Sequence, residues 1–260
     1  MAGLEVLLGA VAAVVLVGVV AVRVSVRLGL PSLLLYLGIG VILGESVLGL
    51  QFSDALLTEN LGIAALVLIL IEGGLTTRWD AVRPSLGVGI ALSTTAVVVS
   101  IGVAGVLLHL LLGLDWRVAF LWGAVLSSTD AAAVFSVLRG VGVSRRLAGT
   151  LELESGLNDA PVVLAVILFA SGEPFHWWTP LLVVYELVAG GVIGGVLGVA
   201  GAWALRRAAL PSTGLYPLAA IAVCVLAFAG GQLAHASGLL ATYVCALVLG
   251  NSRLPHRGGV

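Results

Sequence analysis

Stretches of about 20 apolar residues recur along the chain, and they limit its possible folds more than any other feature. Each stretch is long enough for a helix to cross the ~30 Å hydrocarbon core of a bilayer, where backbone polar groups must be satisfied within the protein. Hydrophobic residues make up 60% of the 260 residues and charged residues 10%. So few charges cannot cover a water-soluble domain of this length. We therefore predict an all-α integral membrane protein.

Polar residues between the apolar stretches divide the chain into about nine predicted transmembrane helices. Their approximate ranges are 4–22, 31–49, 61–77, 86–112, 116–138, 150–171, 179–205, 214–235 and 238–250. No basic residue precedes the first stretch, so we expect a span there rather than a cleaved signal peptide. Eleven of the twelve arginines follow odd-numbered spans, and only Arg117 follows an even-numbered one. Because cytoplasmic loops are rich in arginine, we expect a multi-pass protein of the plasma (inner) membrane with its N-terminus outside.

The composition argues against several other classes of function. The net charge of −1 gives no basic surface for nucleic acid. Cys224 and Cys245 lie in different apolar stretches without metal-ligand spacing, so we expect them to pack as buried thiols. The four histidines fall in loops or near span ends, and we expect no role for them. We accordingly expect no cofactor and no transition-metal site.

A short repeated pattern suggests that the chain contains related halves. Leu43-Gly44-Glu45-Ser46 ends the second predicted span, Leu249-Gly250-Asn251-Ser252 ends the ninth, and these spans run in opposite directions. Opposed orientation is what an inverted-topology repeat requires. We therefore treat 1–260 as one transmembrane domain. It would contain a first six-span repeat over about 1–171, a linker helix over about 179–205 and the start of a second repeat over about 214–250.

A glycine stripe runs along the seventh predicted span. Gly190, Gly194 and Gly198 recur at intervals of four, with Gly191 and Gly195 beside them. Small residues at this spacing allow another helix to approach closely. The partner helix is expected either elsewhere in the same chain or in a second subunit.

Asp130 is the first acidic residue that lies deep inside a predicted span. A charge at the centre of a membrane helix costs about 2.5–3.5 kcal/mol, so it implies a partner or a function. Ser127, Ser128 and Thr129 precede it, and three consecutive hydroxyl groups compete with the helical hydrogen bonds. We predict a discontinuous helix around 127–131 whose freed carbonyl oxygens coordinate a cation. The alternative is a regular helix with Asp130 in a salt bridge.

Asp159 is the second such residue, near the middle of the sixth predicted span. Glu154 and Asn158 are four residues apart, as are Ser155 and Asp159, so all four polar groups share one helical face. This face offers two carboxylates, a hydroxyl and an amide oxygen. Oxygen ligands suit hard cations, whereas transition metals favour histidine or cysteine. The face is therefore predicted to bind a monovalent cation.

The two aspartates are expected at one depth, because each lies about nine residues from the same end of adjacent antiparallel spans. Two mid-membrane carboxylates at one level form a candidate site. Glu72, near the end of the third span, either reaches water or an arginine or faces this site as an outer carboxylate. Glu152 is expected to be solvated near the helix end.

Two motifs resemble the two signature segments of cation/proton antiporters. They are Ser127-Ser128-Thr129-Asp130-Ala131 and Glu154-Ser155-Gly156-Leu157-Asn158-Asp159-Ala160-Pro161. The similarity is greatest to the NhaP-type bacterial potassium/proton or sodium/proton branch. It extends along essentially the whole chain, including residues 33–44 and 251–257. Both motifs on adjacent spans, about 30 residues apart, are a more specific signal than either motif alone.

The resemblance implies about thirteen spans in two inverted six-span repeats, a homodimer, and an ion site where two broken helices cross. Asp159 would correspond to the carboxylate that binds cation and proton in turn. The carbonyl of Thr129, together with Asp130, Glu154 and Ser155, would surround the ion, with Glu72 nearby. Asn158 before Asp159, in place of paired aspartates, resembles the electroneutral branch. Spans ten to thirteen would be missing here, so we expect the chain by itself to be inactive.

The predicted function is therefore secondary active transport rather than enzyme catalysis. K⁺ or Na⁺ would exchange for protons by competing for Asp159, contributing to pH and ion homeostasis. One alternative is a cation channel or leak. Another is an intramembrane aspartyl protease with Asp130 and Asp159 as its dyad, although Thr129 and Asn158 stand where such proteases need other residues.

Overall fold

The structure is a computed structural model that describes residues 2–28, 32–45, 47, 49, 53–129, 144–173, 176–208, 211–212 and 214–252. Within these ranges the chain forms nine helices. They are α1 (Ala2–Leu28), α2 (Ser32–Leu43), α3 (Ala55–Thr76), α4 (Trp79–Leu112), α5 (Trp116–Leu126), α6 (Arg145–Ala170), α7 (Thr179–Ala208), α8 (Leu215–Leu233) and α9 (Gly238–Gly250). Five of them, α3, α4, α6, α7 and α8, are long and apolar enough to cross a membrane. The predicted all-helical membrane architecture is confirmed.

Several helices are longer than the apolar stretches that predicted them. α3 begins at Ala55 rather than near residue 61, and α6 begins at Arg145 rather than near residue 150. Polar caps explain both extensions, because Asp54 Oδ1 accepts from the Leu57 amide at 3.0 Å and Ser144 Oγ accepts from the Leu147 amide at 3.3 Å. Hydropathy marks the apolar length of a helix, whereas the cap decides where it starts.

α4 changes its helical geometry twice. A 3₁₀ turn covers Arg83–Ser85, where Pro84 lacks an amide hydrogen, and a π-helical turn covers Leu92–Ala96. In the π turn, the hydroxyls of Ser93 and Thr94 both donate to the Ile90 carbonyl, at 3.1 and 2.6 Å. Such side-chain bonds compete with the regular ladder and locally widen the helix.

The chain divides into two bodies: residues 1–60 with 130–143, and residues 61–129 with 144–260. In the first body, Ala21 and Ser25 of α1 are buried. Gly18 of α1 lies beside the ring of Tyr36 in α2, 3.8 Å from where a Cβ would stand. In the described part of the first body, α1 and α2 are therefore in contact.

In the second body, α9 is the central helix. Ala241, Cys245 and Ala246 have no exposed surface and belong to one apolar core with side chains from α3, α6, α7 and α8. The glycine stripe of α7 faces α9: Gly190 adjoins the Ser237 carbonyl and Gly194 adjoins the Ala241 backbone. The stripe therefore packs against a helix of the same chain.

Hydrogen bonds and close contacts show which helix ends lie together in the second body. Asn251, after α9, donates to the Thr77 carbonyl after α3 at 2.9 Å, and Gly149 of α6 packs on the Ala81 carbonyl of α4. We call this end of the second body, with Thr77, Ala81, Gly149 and Asn251, the arginine-rich end. The arginines on the adjoining segments are Arg78, Arg83, Arg206 and Arg207.

Arg117, on the opposite end, has a structural role. Its Nε donates to the Phe169 carbonyl at 2.7 Å and its guanidinium reaches the Glu173 carbonyl at 3.5 Å. The carbonyls at the end of a helix have no partner within the helix, and a cation there also interacts favourably with the helix dipole. Arg117 therefore stabilises the end of α6.

Gly194 and its neighbour Gly195 provide a matched test of the α7–α9 contact. A Cβ at position 194 would overlap the Ala241 backbone, whereas nothing lies within 4 Å of a Cβ at position 195. We expect Gly194→Ala to lower the free energy of unfolding by about 1–3 kcal/mol. Gly195→Ala should be neutral or should stabilise by up to about 1 kcal/mol through helix propensity. Thermal unfolding of both variants in detergent measures the difference, and equal melting temperatures would contradict this packing.

Candidate ion-binding site

The helix break predicted near residue 127 begins where α5 ends at Leu126. The Ser127 amide and hydroxyl both donate to the Ala124 carbonyl, at 3.1 and 2.8 Å, and Ser128 and Thr129 are not helical. The hydroxyl therefore takes part in ending the helix, as the sequence indicated. Asp130 lies outside the described residues, so a second half of this discontinuous helix stays a prediction.

α6 continues without interruption past Pro161 and presents its polar face to the end of α5. Thr129 is the centre of the contact. Its hydroxyl donates to Glu154 Oε1 at 2.7 Å and accepts from Asn158 Nδ2 at 2.6 Å. Its carbonyl oxygen accepts from Asn158 Nδ2 at 3.2 Å and from Ser155 Oγ at 3.3 Å. The structure thus brings Thr129, Glu154, Ser155 and Asn158 together.

Asp159 joins this cluster through the residue before Thr129. Ser128 Oγ donates to Asp159 Oδ1 at 3.3 Å. Asp159, Glu154 and Ser155 are half-buried, while Ser128 and Thr129 are exposed at the end of α5. Two carboxylates, three hydroxyls and a backbone carbonyl therefore meet at one place, an oxygen-rich group suited to a hard cation.

Asn158 takes part differently from the prediction that it offers an amide oxygen. Its side chain is fully buried, and Nδ2 faces three acceptors: the carbonyl and hydroxyl of Thr129 and, at 3.0 Å, Glu154 Oε1. Reversing the amide would place Oδ1 against a carbonyl and a carboxylate, which have no hydrogen to donate. Among the described residues Oδ1 has no hydrogen-bond partner. Asn158 therefore joins α5 to α6 as a donor.

Glu72 is exposed on α3. No hydrogen bond within the described ranges connects its carboxylate to the Thr129 cluster; its backbone carbonyl accepts from the Thr76 hydroxyl at 2.8 Å. A role as an outer carboxylate of the site stays a prediction for Glu72, as does the role of Asp130.

Glu152, which was expected to be solvated, is half-buried and also has a protein partner. Its Oε1 lies 3.0 Å from the hydroxyl of Thr77, which is 2% exposed. Thr77 is held in turn by Asn251, whose Oδ1 also accepts from the Trp79 amide at 2.8 Å. The sequence contains one indication that Glu152 points into the protein: it lies seven residues before Asp159, and this spacing places it two turns away on the same face of α6.

A cavity of about 510 Å³ lies beside α6, toward the end opposite the arginine-rich end. It begins at Ala160, follows α6 to Ser171, and is lined by the polar side chains of Glu186 and His235. His235 has a positive φ of 50°, a conformation uncommon for residues other than glycine. Sequence reasoning assigned neither residue to a site, because only the fold brings α7 and the α8–α9 turn beside α6.

The donor role of Asn158 predicts a stability change for Asn158→Asp. Aspartate keeps the shape but loses both amide hydrogens and places a second carboxylate beside Glu154. We expect the free energy of unfolding to fall by about 2 kcal/mol or more at pH 8. The loss should shrink toward pH 5, because a protonated carboxyl regains one donor. Thermal unfolding against pH measures this, with Asn60→Asp at an exposed asparagine as the control. Equal sensitivity of the two variants would contradict the assignment.

Both the sequence and the fold of the chain are similar to those of known proteins. The family described as "Sodium/hydrogen exchanger, transmembrane" matches residues 10–257. The K⁺/H⁺ antiporter NhaP of Alkalimonas amylolytica is 37% identical over 248 residues, covering 93% of this chain and 43% of that protein. The K⁺/H⁺ antiporter NhaP2 of Shewanella sp. (strain MR-4) is 36% identical, covering 90% of this chain and 42% of that protein. The chain thus spans about two fifths of the length of these relatives.

The fold is similar to a solved antiporter structure. The sodium proton antiporter MjNhaP1 from Methanocaldococcus jannaschii at pH 8 superimposes with a TM-score of 0.78 at 20% identity, covering 95% of this chain and 62% of that one. This likeness concerns the fold, while the family match covers nearly all of the sequence. The chain is a multi-pass membrane protein that belongs to the transmembrane sodium/hydrogen exchanger family.

Proposed function

We propose that the chain provides the ion-binding part of a monovalent cation/proton antiporter that exchanges Na⁺ or K⁺ for protons. The observation that carries this proposal is the convergence of Thr129, Glu154, Ser155 and Asp159 at the end of α5. Relatives named K⁺/H⁺ and Na⁺/H⁺ antiporters support the same class of activity. Because both ions accept oxygen ligands, the proposal includes both.

The ligands that we propose are the Thr129 carbonyl, the Ser155 hydroxyl and the carboxylates of Glu154 and Asp159. Ser155 now donates to the Thr129 carbonyl at 3.3 Å, a long hydrogen bond that a cation between the two oxygens can replace. Asn158 would keep the loop end in place during this exchange, since its three contacts do not need the ion. Asp130 and Glu72 would contribute charge from further away.

Exchange at this site requires one carboxylate that holds either ion. Asp159 would bind the cation when ionised and the proton when the cation leaves, so the two ions compete for one negative charge. Because Asn158 is neutral, one proton would replace one monovalent cation, and the exchange would be electroneutral. Ser128 would hold the Asp159 carboxylate through its 3.3 Å hydrogen bond.

Antiport also requires that the site open to either side in turn. The cavity that runs from Ala160 to Ser171 supports access from the end opposite the arginine-rich end. We propose that the arginine-rich end faces the cytoplasm of a plasma (inner) membrane, with the N-terminus outside. We further propose a homodimer, and the inverted repeat remains part of this proposal.

Loss of Asp159 should abolish coupling. The purified chain should bind radioactive Na⁺ or Rb⁺ less strongly as the pH falls, and Asp159→Asn should weaken binding about 100-fold or more, comparable to the loss of a buried charged contact. In proteoliposomes of a longer form that includes the remaining predicted spans, cation-driven proton flux should disappear in the same variant. Asp80→Asn, at an exposed carboxylate of α4, is the control. Unchanged binding and flux in Asp159→Asn would refute the proposal, and a cation current independent of the pH gradient would indicate a channel.

The proposed orientation can be tested with single cysteines. The native Cys224 and Cys245 are fully buried, so an impermeant maleimide should report only on introduced cysteines. Glu173→Cys should react in intact cells, because it lies in the α6–α7 loop on the proposed outer side. Asp80→Cys should react only after the membrane is permeabilised. The reverse pattern would invert the topology.

A further inference from the structure

We propose that a groove between α4, α6, α7 and α9 binds one acyl chain of an anionic phospholipid, whose headgroup lies beside Arg83 at the arginine-rich end. The inference goes beyond the exchange function and does not depend on it. The groove has a volume of about 500 Å³, which is within the range of sites for small molecules.

One face of α4 forms the first wall of this groove. The groove is lined there by Trp79, Leu86 and Ile90. Their spacings of seven and four residues keep them on one side of a helix. Arg83 lies four residues after Trp79 and three before Leu86, so it belongs to the same face. The apolar wall therefore carries a cation close to the arginine-rich end.

Arg83 is available to a negatively charged ligand. It is exposed, and among the residues that the structure describes it forms no salt bridge. Asp80 is near in the sequence, but it follows Trp79 directly and so lies about 100° around the helix from the lining face. Arg78 is also exposed and adds a second positive charge at this end. Basic residues between membrane helices at the cytoplasmic surface bind the headgroups of anionic lipids.

α6, α7 and α9 form the other walls of the groove. Leu153, Leu157 and Pro161 of α6 line it at intervals of four residues. α7 and α9 contribute valines and leucines, among them Val184 and Val244. These surfaces offer no charge and suit the hydrocarbon part of a lipid.

The hydroxyl groups of α4 in the groove already have partners. Ser93 and Thr94 line the groove, and both donate to the Ile90 carbonyl, at 3.1 and 2.6 Å. Each hydroxyl hydrogen is thus used within the π turn. An apolar chain beside them leaves neither hydrogen without an acceptor, so its binding carries no penalty for a lost hydrogen bond at these residues.

The length of the groove favours an acyl chain over a further transmembrane helix. Along α4 the lining runs from Trp79 to Thr94, about 22 Å at 1.5 Å per residue. A helix that crosses the bilayer needs about 30 Å of apolar surface. The groove instead begins at the arginine-rich end and stops well before the far end of α4 at Leu112. It therefore matches a chain that enters from the leaflet at the arginine-rich end.

An acyl chain in the groove packs on the back of the helix that carries the candidate ion site. Leu157 is two residues from both Ser155 and Asp159, and two residues correspond to about 200° around a helix. The lining face of α6 is therefore opposite the face of Ser155 and Asp159. Bound lipid supports α6 from this side and leaves the proposed ion ligands uncovered.

Native mass spectrometry of the purified chain tests the headgroup. The chain is stripped of lipid and then given phosphatidylglycerol or phosphatidylcholine with the same acyl chains. We expect one retained phosphatidylglycerol, held about fivefold more weakly in Arg83→Gln, which is the effect of one arginine near a membrane surface. Arg207→Gln is the matched control, because Arg207 lies at the same end but stacks on Trp203, 4.5 Å from the ring centre. Equal losses in both variants, or equal retention of the two lipids, would overturn the proposal.

A pair of valines on α7 tests the acyl chain. Val184 and Val192 are similarly exposed, at 56% and 59%, and of the two only Val184 lines the groove. Val184→Trp should fill the groove and weaken retention of phosphatidylglycerol at least tenfold, because several methylene groups lose their contacts. Val192→Trp should retain the lipid like the wild type. Melting temperatures without lipid show that both variants are folded, and phosphatidylglycerol should raise the melting temperature of Val192→Trp but not of Val184→Trp. Unchanged retention in Val184→Trp would contradict a chain in this groove.

The same measurement on a longer form that includes the remaining predicted spans separates lipid from protein as the occupant. A phosphatidylglycerol that is retained by this form and lost in Val184→Trp supports the lipid site. If the longer form retains no phosphatidylglycerol at all, another part of the protein fills the groove and the proposal is wrong. Neither result depends on Asp159 or on ion exchange.

Discussion

The hydrogen bonds of Thr129 to α6 are the interaction on which the candidate site depends. Ending a helix within an apolar environment leaves backbone carbonyls without partners, and lipid offers no donors. At Thr129 the missing donors come from Asn158 and Ser155. Because the same α6 face carries Glu154 and Asp159, satisfying the end of α5 also brings the carboxylates to that end.

α6 is held from two directions. On one side it bonds to the end of α5, and on the other it packs on α9 through Gly156 and Tyr243. α9 is in turn the most buried helix of the second body, and α7 approaches it closely through its glycines. A helix that carries several acidic groups is thus supported by helices with small and apolar residues. Helices in membranes associate by such close packing, since lipid tails supply no hydrophobic driving force.

Asn158 and Glu152 show how far single-residue reasoning reached. Helical spacing placed Asn158 beside Glu154, but an amide carries both a donor and an acceptor, and spacing cannot say which one faces a neighbour. Glu152 was assigned to water because it lies near a helix end, and Thr77 from the α3–α4 connection also donates a hydrogen bond to it. That contact joins residues 75 positions apart, and no local pattern contains it.

The amino-acid sequence alone indicated the membrane class, the approximate positions of the helices and the segments that meet at the candidate site. These follow from local properties: apolar length, helical period and the tendency of adjacent hydroxyl residues to end a helix. The orientation of the Asn158 amide, the packing of the α7 glycines on α9 and the packing of Tyr243 on Gly156 came from the tertiary structure. Each of these depends on distances between helices that are far apart along the chain, because side chains from separate helices must share the same few ångströms of space.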